Sequence, residues 1–384
     1  MNLLKQKIIE TIRSKGPITF ESFMDMALYY PELGYYTSPG SVIGRKGDFY
    51  TSSHLHPIFG IMIGRQLMEM WEQMGRPEDF HAVEIGGGAG YLCKDILNNL
   101  CESSQKNDPS KKITDFLKSL KYVMVELNPE FQKKQRELLG ELGEKVKWIR
   151  SLNDLSHKIN GCIFSNELLD AFPVHIVEMR DELKEVFVNH ISDDFMEQVQ
   201  DVSDVSLIEY MNEFSMQIPQ GCRTEINLKV REWLKEISSV LSEGFLLTID
   251  YGYSAEEYYS EERANGTLLC YYNHQHNENP YKNIGNQDIT AHVNFSSLKR
   301  WGEEIGLNTI GYSPQGTFLV SSGIDDVITE LYSGSPDYSS EISKIKGLIL
   351  PQGLGESHKV MIQYKGKGVP ELRGFSMQNQ AGKL

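Results

Sequence analysis

The chain has 384 residues, 40% of them hydrophobic and 24% charged, and its 53 acids against 38 bases give a formal charge of −15 at pH 7. That length exceeds one compact core of ordinary size, so a single elaborated domain or a core with satellites is expected. The acidic balance repels phosphate backbones and argues against a nucleic-acid partner, whereas a cationic or basic partner is attracted.

The densest basic stretches, "FQKKQR" and "PSKKITDFLK", sit in helical patterns and read as solvated faces. Cys93, Cys101, Cys162, Cys222 and Cys270 are odd in number and scattered. Without a CxxC pair they support neither a disulfide framework nor a thiol-rich zinc site, so no metal is expected.

The chain begins with "MNLLKQKIIETIRSKG", an amphipathic helical pattern rather than a secretory signal. No stretch approaches the roughly 20 apolar residues of a membrane span. The expectation is a soluble, cytoplasmic protein without a membrane partner. Thr19 is placed to cap a helix through "FESFMDMALYY", ended by Pro31. A long Gly-, Ser- and Tyr-rich loop follows, and then a second helix, "IFGIMIGRQLMEMWEQMG". Loops of that length often act as lids. "GRKGDFYTSS", Gly44 to Ser53, is the part expected to fold over a ligand, with Asp48 or Thr51 reaching in.

From residue 81 short apolar runs alternate with amphipathic helices. Strands are predicted at "HAVEIG", "KYVMVEL", "KVKWIR", "GCIFSN" and "GFLLTIDYG", with "NTIGYS" and "HKVMIQYKG" as a final pair. This is the pattern of βαβ units and a parallel sheet. Residues 176–220 and 253–295 interrupt it, the first with an alternating run, "LKEVFVNHI". The expected organisation is an N-terminal helical and lid segment over 1–75, a core over 76–365 with those two insertions, and a tail over 366–384 lacking apolar periodicity.

"VEIGGGAGYLCKDIL" puts Glu84, Gly86, Gly88 and Gly90 on the turn from the first core strand into a helix. Small residues there admit close approach of a ligand, and the helix start offers unpaired N–H groups. The spacing is G-x-G-x-G rather than the dinucleotide G-x-G-x-x-G. An acid two residues before the first glycine is unwelcome beside a pyrophosphate but suits a cation, such as the sulfonium and ammonium of S-adenosylmethionine.

The second strand ends in Glu126 and Leu127, where an acid can accept both ribose hydroxyls. Asn153 and Asp154 follow the third strand, placed either to meet an adenine or to cap a helix. His274, His276 and His292, with Asp288 and Thr290, either line a substrate channel or satisfy one another. No acid at ligand spacing makes the histidines a metal site, and no nucleophile elbow supports hydrolysis.

"VEIGGGAG", "VELNPEFQKKQRELL", "FSNELLDAFPVH", "LLTIDYGY", "GYYTSPGSVIGRKGDFYTSSHLHPIFG" and the Tyr- and His-rich segment after residue 265 together carry a resemblance. The chain resembles the MidA-like family of class I S-adenosylmethionine-dependent methyltransferases over about residues 15 to 365. The resemblance implies an α/β, seven-stranded, Rossmann-like methyltransferase sheet with substrate-facing insertions. It also implies S-adenosyl-L-methionine as cofactor and, from the mitochondrial relatives, methylation of arginine in a protein subunit.

In that fold "SNELLDAFP" sits beside the sulfonium. Amino-methyltransferases of nucleic acids often carry an Asn- or Asp-Pro-Pro-aromatic motif there; this chain has Asn166 but supplies Glu167 and Asp170 instead of the prolines. Two carboxylates suit a guanidinium, which stays protonated at any ordinary pH. Glu167 and Asp170 are therefore expected to bind the substrate cation, with Asn166 shaping the cofactor pocket. A nicotinamide-dependent oxidoreductase, a non-catalytic assembly factor and a small-molecule methyltransferase remain as other readings.

Overall fold

In the computed structural model the described residues are 2–38, 52–106, 111–192, 194–214, 218–273 and 275–384. The chain weaves between two compact units. One comprises Met1–Phe49, Leu169–Trp233 and Tyr253–Leu298; the other comprises Tyr50–Leu168, Leu234–Gly252 and Lys299–Leu384.

The second, α/β unit is built on strands whose runs of Val, Ile, Leu, Phe and Tyr suit burial on both faces. They are β1 (Phe80–Ile85), β2 (Leu120–Val125), β3 (Val146–Ile149), β4 (Ile159–Asn166), β5 (Leu241–Tyr253), β6 (Asn308–Pro314) and β7 (His358–Lys365). Seven of the eight strands in this sheet run in the order β6-β7-β5-β4-β1-β2-β3. β5, β4, β1, β2 and β3 are mutually parallel, and β7 runs antiparallel to both β5 and β6.

The order reverses direction between β1 and β4. In open α/β sheets that switch point, at the carboxyl ends of the strands, is where ligands bind. The glycine turn leaves β1 and the Asn166–Glu167 pair leaves β4, so chain topology brings both to the switch point. Because β7 is antiparallel, its first residue comes to the same edge, with His358 opposite Tyr251 in register.

Ile58, Met62, Leu92, Ile96 and Phe116 from the helices share one core with Phe164, Phe245 and Leu247 from the sheet. Each such side chain contributes roughly 1.5–3 kcal/mol on burial. The C-terminal tail belongs to this core as well, contrary to its lack of periodicity. Leu372 and Phe375 are buried in it, and the Gln380 amide donates to the Tyr312 carbonyl at 2.7 Å. These attachments hold a segment whose helical pieces are only the short turns Arg373–Phe375 and Ala381–Lys383; Phe375 lies so close over Gly311 that a Cβ there would stand 2.1 Å from its ring.

The first unit is antiparallel. Its larger sheet runs Ile18–Thr19, Leu183–Ile191, His175–Met179, Arg223–Ile226, with Asp194–Asp201 paired to Leu183–Ile191. A smaller one places Leu269–Tyr272 between Gln275–Asn277 and Asp288–Thr290. The segments 176–220 and 253–295 both fall in this unit. Thr19 caps the helix Phe20–Tyr29 by accepting from the Ser22 amide, and that helix shares a core with Ile8, Val186, Val188 and Cys270.

Candidate active site

At the end of β1 the chain turns through Gly86, Gly88 and Gly90 at φ of 71°, 51° and 89°. Those values lie in the left-handed region that costs glycine nothing. The intervening Gly87 has another constraint: a Cβ would meet Met124 Sδ at 3.1 Å and Glu84 Oε1 at 3.2 Å. Glu84 is buried and takes the Tyr122 hydroxyl on its other oxygen. Burial pushes its carboxyl up to about 7 and the nearby Glu126 charge adds to the rise, against the opposing hydrogen bond from Tyr122.

Glu126 follows β2 and is likewise buried. Its Oε1 accepts from the Asn128 amide at 2.9 Å and its Oε2 from Gln135 Nε2 at 3.2 Å. Burial outweighs these bonds and raises the carboxyl to about 7. Gln135 joins the site's parts: the same Nε2 donates to the Gly88 carbonyl at 2.8 Å, and its Oε1 accepts from Trp148 Nε1 at 3.0 Å. Sequence reasoning missed it. The signal was available in the spacing of Phe131, Gln135 and Leu139, one helix face on which the middle residue is polar and all three are buried. Beside Glu126, Leu127 is 54% exposed, an apolar side chain left open at the mouth of the sheet.

After β3, Asp154 closes a capping box. Its Oδ2 accepts from the Arg150 and Ser151 amides, each at 3.0 Å, so the structure gives it the capping role. Asn153 stands exposed in the same short turn.

β4 ends in Asn166, and Glu167 follows it. Glu167 holds a φ of 50°, uncommon for a residue with a side chain, and its amide donates to the Ile249 carbonyl at 2.8 Å. Such strain persists where the surroundings fix it, and it gathers at functional sites. Its carboxylate is 7% exposed and uses one oxygen for every neighbour. The Ser52 amide donates to Oε1 at 3.1 Å and Asn166 Nδ2 at 3.2 Å, and His358 Nε2 stands 3.6 Å from it. Asn166 Oδ1 is buried without a hydrogen-bond partner among the described residues. Asp250, fully buried at the end of β5, secures the following residue by accepting from the Leu168 amide at 3.2 Å.

Asp170 belongs to the other compact unit. It is buried in the turn Leu169–Ala171, and the Ala291 amide donates to its carbonyl at 2.9 Å. Nearby, Tyr29 and Tyr36 stack at 5.5 Å, and the Tyr36 hydroxyl donates to both oxygens of Asp288 at 2.8 and 2.9 Å. Burial pushes the Tyr29 hydroxyl well above its ordinary value, with the charges of Asp288 and then Asp170 adding to it. Thr290 Oγ1 donates to the Leu269 carbonyl at 3.4 Å, and the His292 ring lies 5.2 Å from Tyr253.

Asp48, the rest of the lid over Gly44–Thr51 and His274 lie outside the described residues. Among the described residues no group of three His, Cys, Asp or Glu is arranged to hold a metal, and no helix is long and apolar enough to cross a membrane.

Three comparisons bear on this site. The chain is 27% identical over 369 residues to a Caenorhabditis elegans protein named "Protein arginine methyltransferase NDUFAF7 homolog, mitochondrial", covering 92% of this chain and 84% of that one. Its identity to the human protein of the same type is 26%, over 90% and 79% of the two chains. A crystal structure from Burkholderia thailandensis, bound to S-adenosyl-homocysteine, superposes with a TM-score of 0.88 at 28% identity, covering 99% of this chain and 96% of that one.

The curated relatives from worm, fly, frog and human are mitochondrial, which overturns the cytoplasmic expectation. That expectation rested on the lack of a secretory signal and of a membrane span, and neither feature distinguishes the cytoplasm from an organelle's interior.

The family model described as "Putative S-adenosyl-L-methionine-dependent methyltransferase" matches residues 62–313, a stretch that holds the glycine turn, Glu126 and the end of β4, and the chain belongs to that family of methyltransferases using S-adenosyl-L-methionine.

Proposed function

We propose that this enzyme methylates a guanidinium nitrogen of arginine in a protein substrate, with the cofactor held over Glu84, the glycine turn, Glu126, Leu127, Asn153 and Asn166. When bound, S-adenosyl-L-methionine supplies a methyl group on a sulfonium that leaves readily.

The residues at the switch point fit that group. The left-handed glycine turn leaves room that side chains would take, since a Cβ on Gly86 would come within 2.8 Å of Leu168 Cδ1. Glu126 can accept from a pair of hydroxyls, and the exposed Leu127 offers an apolar face to a flat ring. Glu84, raised to about 7, stands behind the turn as a carboxyl that a ligand's ammonium group would draw into its ionised form, and it is unsuited to a pyrophosphate. The orphaned Asn166 Oδ1 provides a further acceptor at the same edge.

The observation that carries the acceptor class is the Glu167 carboxylate. Three neighbours converge on Oε1, and among the described residues none reaches Oε2. A carboxylate oxygen left open in this way selects an N–H donor, and a cation above all, because the carboxylate's negative charge offsets the donor's positive charge. The names of the curated relatives agree with arginine as that donor. Glu167 would orient the guanidinium, and alignment with a favourable field is most of what methyl transfer requires. Asp170 is proposed as a second carboxylate for the substrate's positive charge.

The test is incubation of the protein with methyl-labelled S-adenosylmethionine and a protein extract, followed by hydrolysis and amino-acid analysis. Label in methylarginine is expected. Label in methyllysine or in small molecules alone would refute the arginine reading.

A further inference from the structure

We infer that His358 is a positioning residue for the reaction: its Nε2–H clamps Oε1 of Glu167, so that Oε2 alone faces the methyl acceptor. The inference rests on the reading of Glu167 given above and adds a residue from the far end of the chain, 191 positions away.

The geometry starts from the sheet. β7 is antiparallel to β5, which brings its first residue to the edge where the parallel strands end. A histidine beginning a parallel strand would lie at the opposite edge. His358 is buried, its side chain as little exposed as that of Glu167, at 7% each. One ring nitrogen, Nε2, stands 3.6 Å from Glu167 Oε1, and the other, Nδ1, lies 3.1 Å from the hydroxyl of the exposed Ser357. An ionised carboxylate only accepts, so a ring nitrogen facing it must carry the proton. Ser357, able to donate through its hydroxyl, then supplies a hydrogen to the bare Nδ1. The tautomer is fixed from both sides, as happens where one ring nitrogen is committed by the bond its partner makes.

The 3.6 Å separation is long for a hydrogen bond, and polar contacts of this length in sites without substrate shorten when the reacting complex forms. Among the described residues no other group is within hydrogen-bonding reach of Nε2. Tyr251 presents its ring at 5.5 Å. Lys359, the next residue of β7, is engaged by the carbonyl and carboxylate of Glu356. Asp250, across the strand from Lys359, holds the Leu168 and Tyr251 amides.

The consequence is directional. Two donors and one close ring reach Oε1 from three separate places in the chain: the Ser52 amide before the core helices, Asn166 Nδ2 at the end of β4 and, at 3.6 Å, His358 Nε2 at the start of β7. A carboxylate anchored by one oxygen cannot rotate to offer a bidentate face, so it takes one N–H of the acceptor and fixes where that nitrogen points. Without His358 the carboxylate keeps its charge and loses its aim.

The experiment has two arms. In protein labelled with 15N in histidine, at mildly alkaline pH, NMR reads which ring nitrogen of His358 carries the proton. A proton on Nε2 in the wild type, lost as the preferred tautomer in Glu167→Ala and weakened in Ser357→Ala, is expected. A bare Nε2 in the wild type overturns the inference.

The second arm measures label transfer from S-adenosylmethionine to a protein extract. His358→Phe is expected to lower the transfer rate by roughly 10- to 100-fold, the scale of a misplaced reacting group, with affinity for S-adenosylmethionine unchanged. His358→Gln, whose amide can restore a donor, is expected to recover part of that loss. Full activity in His358→Phe, in a protein whose Glu167→Gln variant is inactive, contradicts the clamp and leaves the Glu167 reading standing. Full activity in Glu167→Gln contradicts that reading instead, and the NMR arm then decides on the histidine alone.

Discussion

The two compact units supply their buried carboxylates with donors differently, although burial raises Glu225 of the antiparallel unit in the same direction as Glu84 and Glu126 of the other. In the antiparallel unit Glu225 is saturated: Thr267 donates through its amide and hydroxyl, and Leu268 and Tyr258 also donate, all at 2.9–3.3 Å. Glu185 in the same unit pairs with His175 at 2.7 Å and accepts from the Ser203 amide. Against the opposing pull of burial, those bonds hold it below its ordinary range. In the α/β unit, Glu84 and Glu126 are as deeply buried and are left under-supplied, so burial carries both up to about 7. A carboxylate with all its donors in the chain ties loops together. One short of donors is poised for a ligand that brings them.

The contrast is sharpest in stability against pH. For Glu84 and Glu126 the folded value near 7 lies above the unfolded value near 4.5. Their contribution to stability without cofactor is therefore full below about 4.5 and is lost as pH rises through about 7, by on the order of a few kcal/mol. Glu185 works the other way: its folded value is depressed, so its contribution is present above the unfolded value and lost as pH falls below it. Thermal melts from pH 4 to 8 on wild type and Glu84→Gln are the check. The variant is expected to remove part of the loss on the alkaline side; equal slopes in both proteins would contradict the assignment.

Replacing Glu225 with alanine strands the Thr267 and Leu268 amides and the Tyr258 hydroxyl, with an expected cost of about 3 kcal/mol in an unfolding titration. A loss under about 1 kcal/mol would show that the saturation is incidental. Glu167→Gln is expected to cut methyl transfer about 100-fold, the scale of removing one oriented electrostatic partner, while thermal stability and cofactor affinity hold. Parallel loss of cofactor binding would move Glu167 from the acceptor side to the cofactor side.

Much of the α/β unit was legible from its residues, because a strand buried on both faces reads as a short apolar run and the helices between carry their own period. Glycine positions and the acids at strand ends are local signals, so Glu84, Glu126 and Glu167 could be placed before any tertiary contact was known. What stayed hidden depends on partners remote in sequence. Gln135 serves the site only because its helix turns that face towards Gly88, and His358 only because β7 inserts antiparallel beside β5. The tail's attachment to the core was hidden for a related reason: Leu372 and Phe375 are buried there without generating any period. Asp154 caps its turn because two backbone amides lie within reach of one carboxylate oxygen.

The most direct measurement is a calorimetric titration of wild type and Glu126→Gln with S-adenosylmethionine, and of wild type with NAD. The account predicts micromolar binding of S-adenosylmethionine, none of NAD, and about a tenfold weaker affinity in the variant, roughly 1.4 kcal/mol. Unchanged affinity in Glu126→Gln, or binding of NAD in preference, would contradict the placement of the cofactor at the switch point of this sheet.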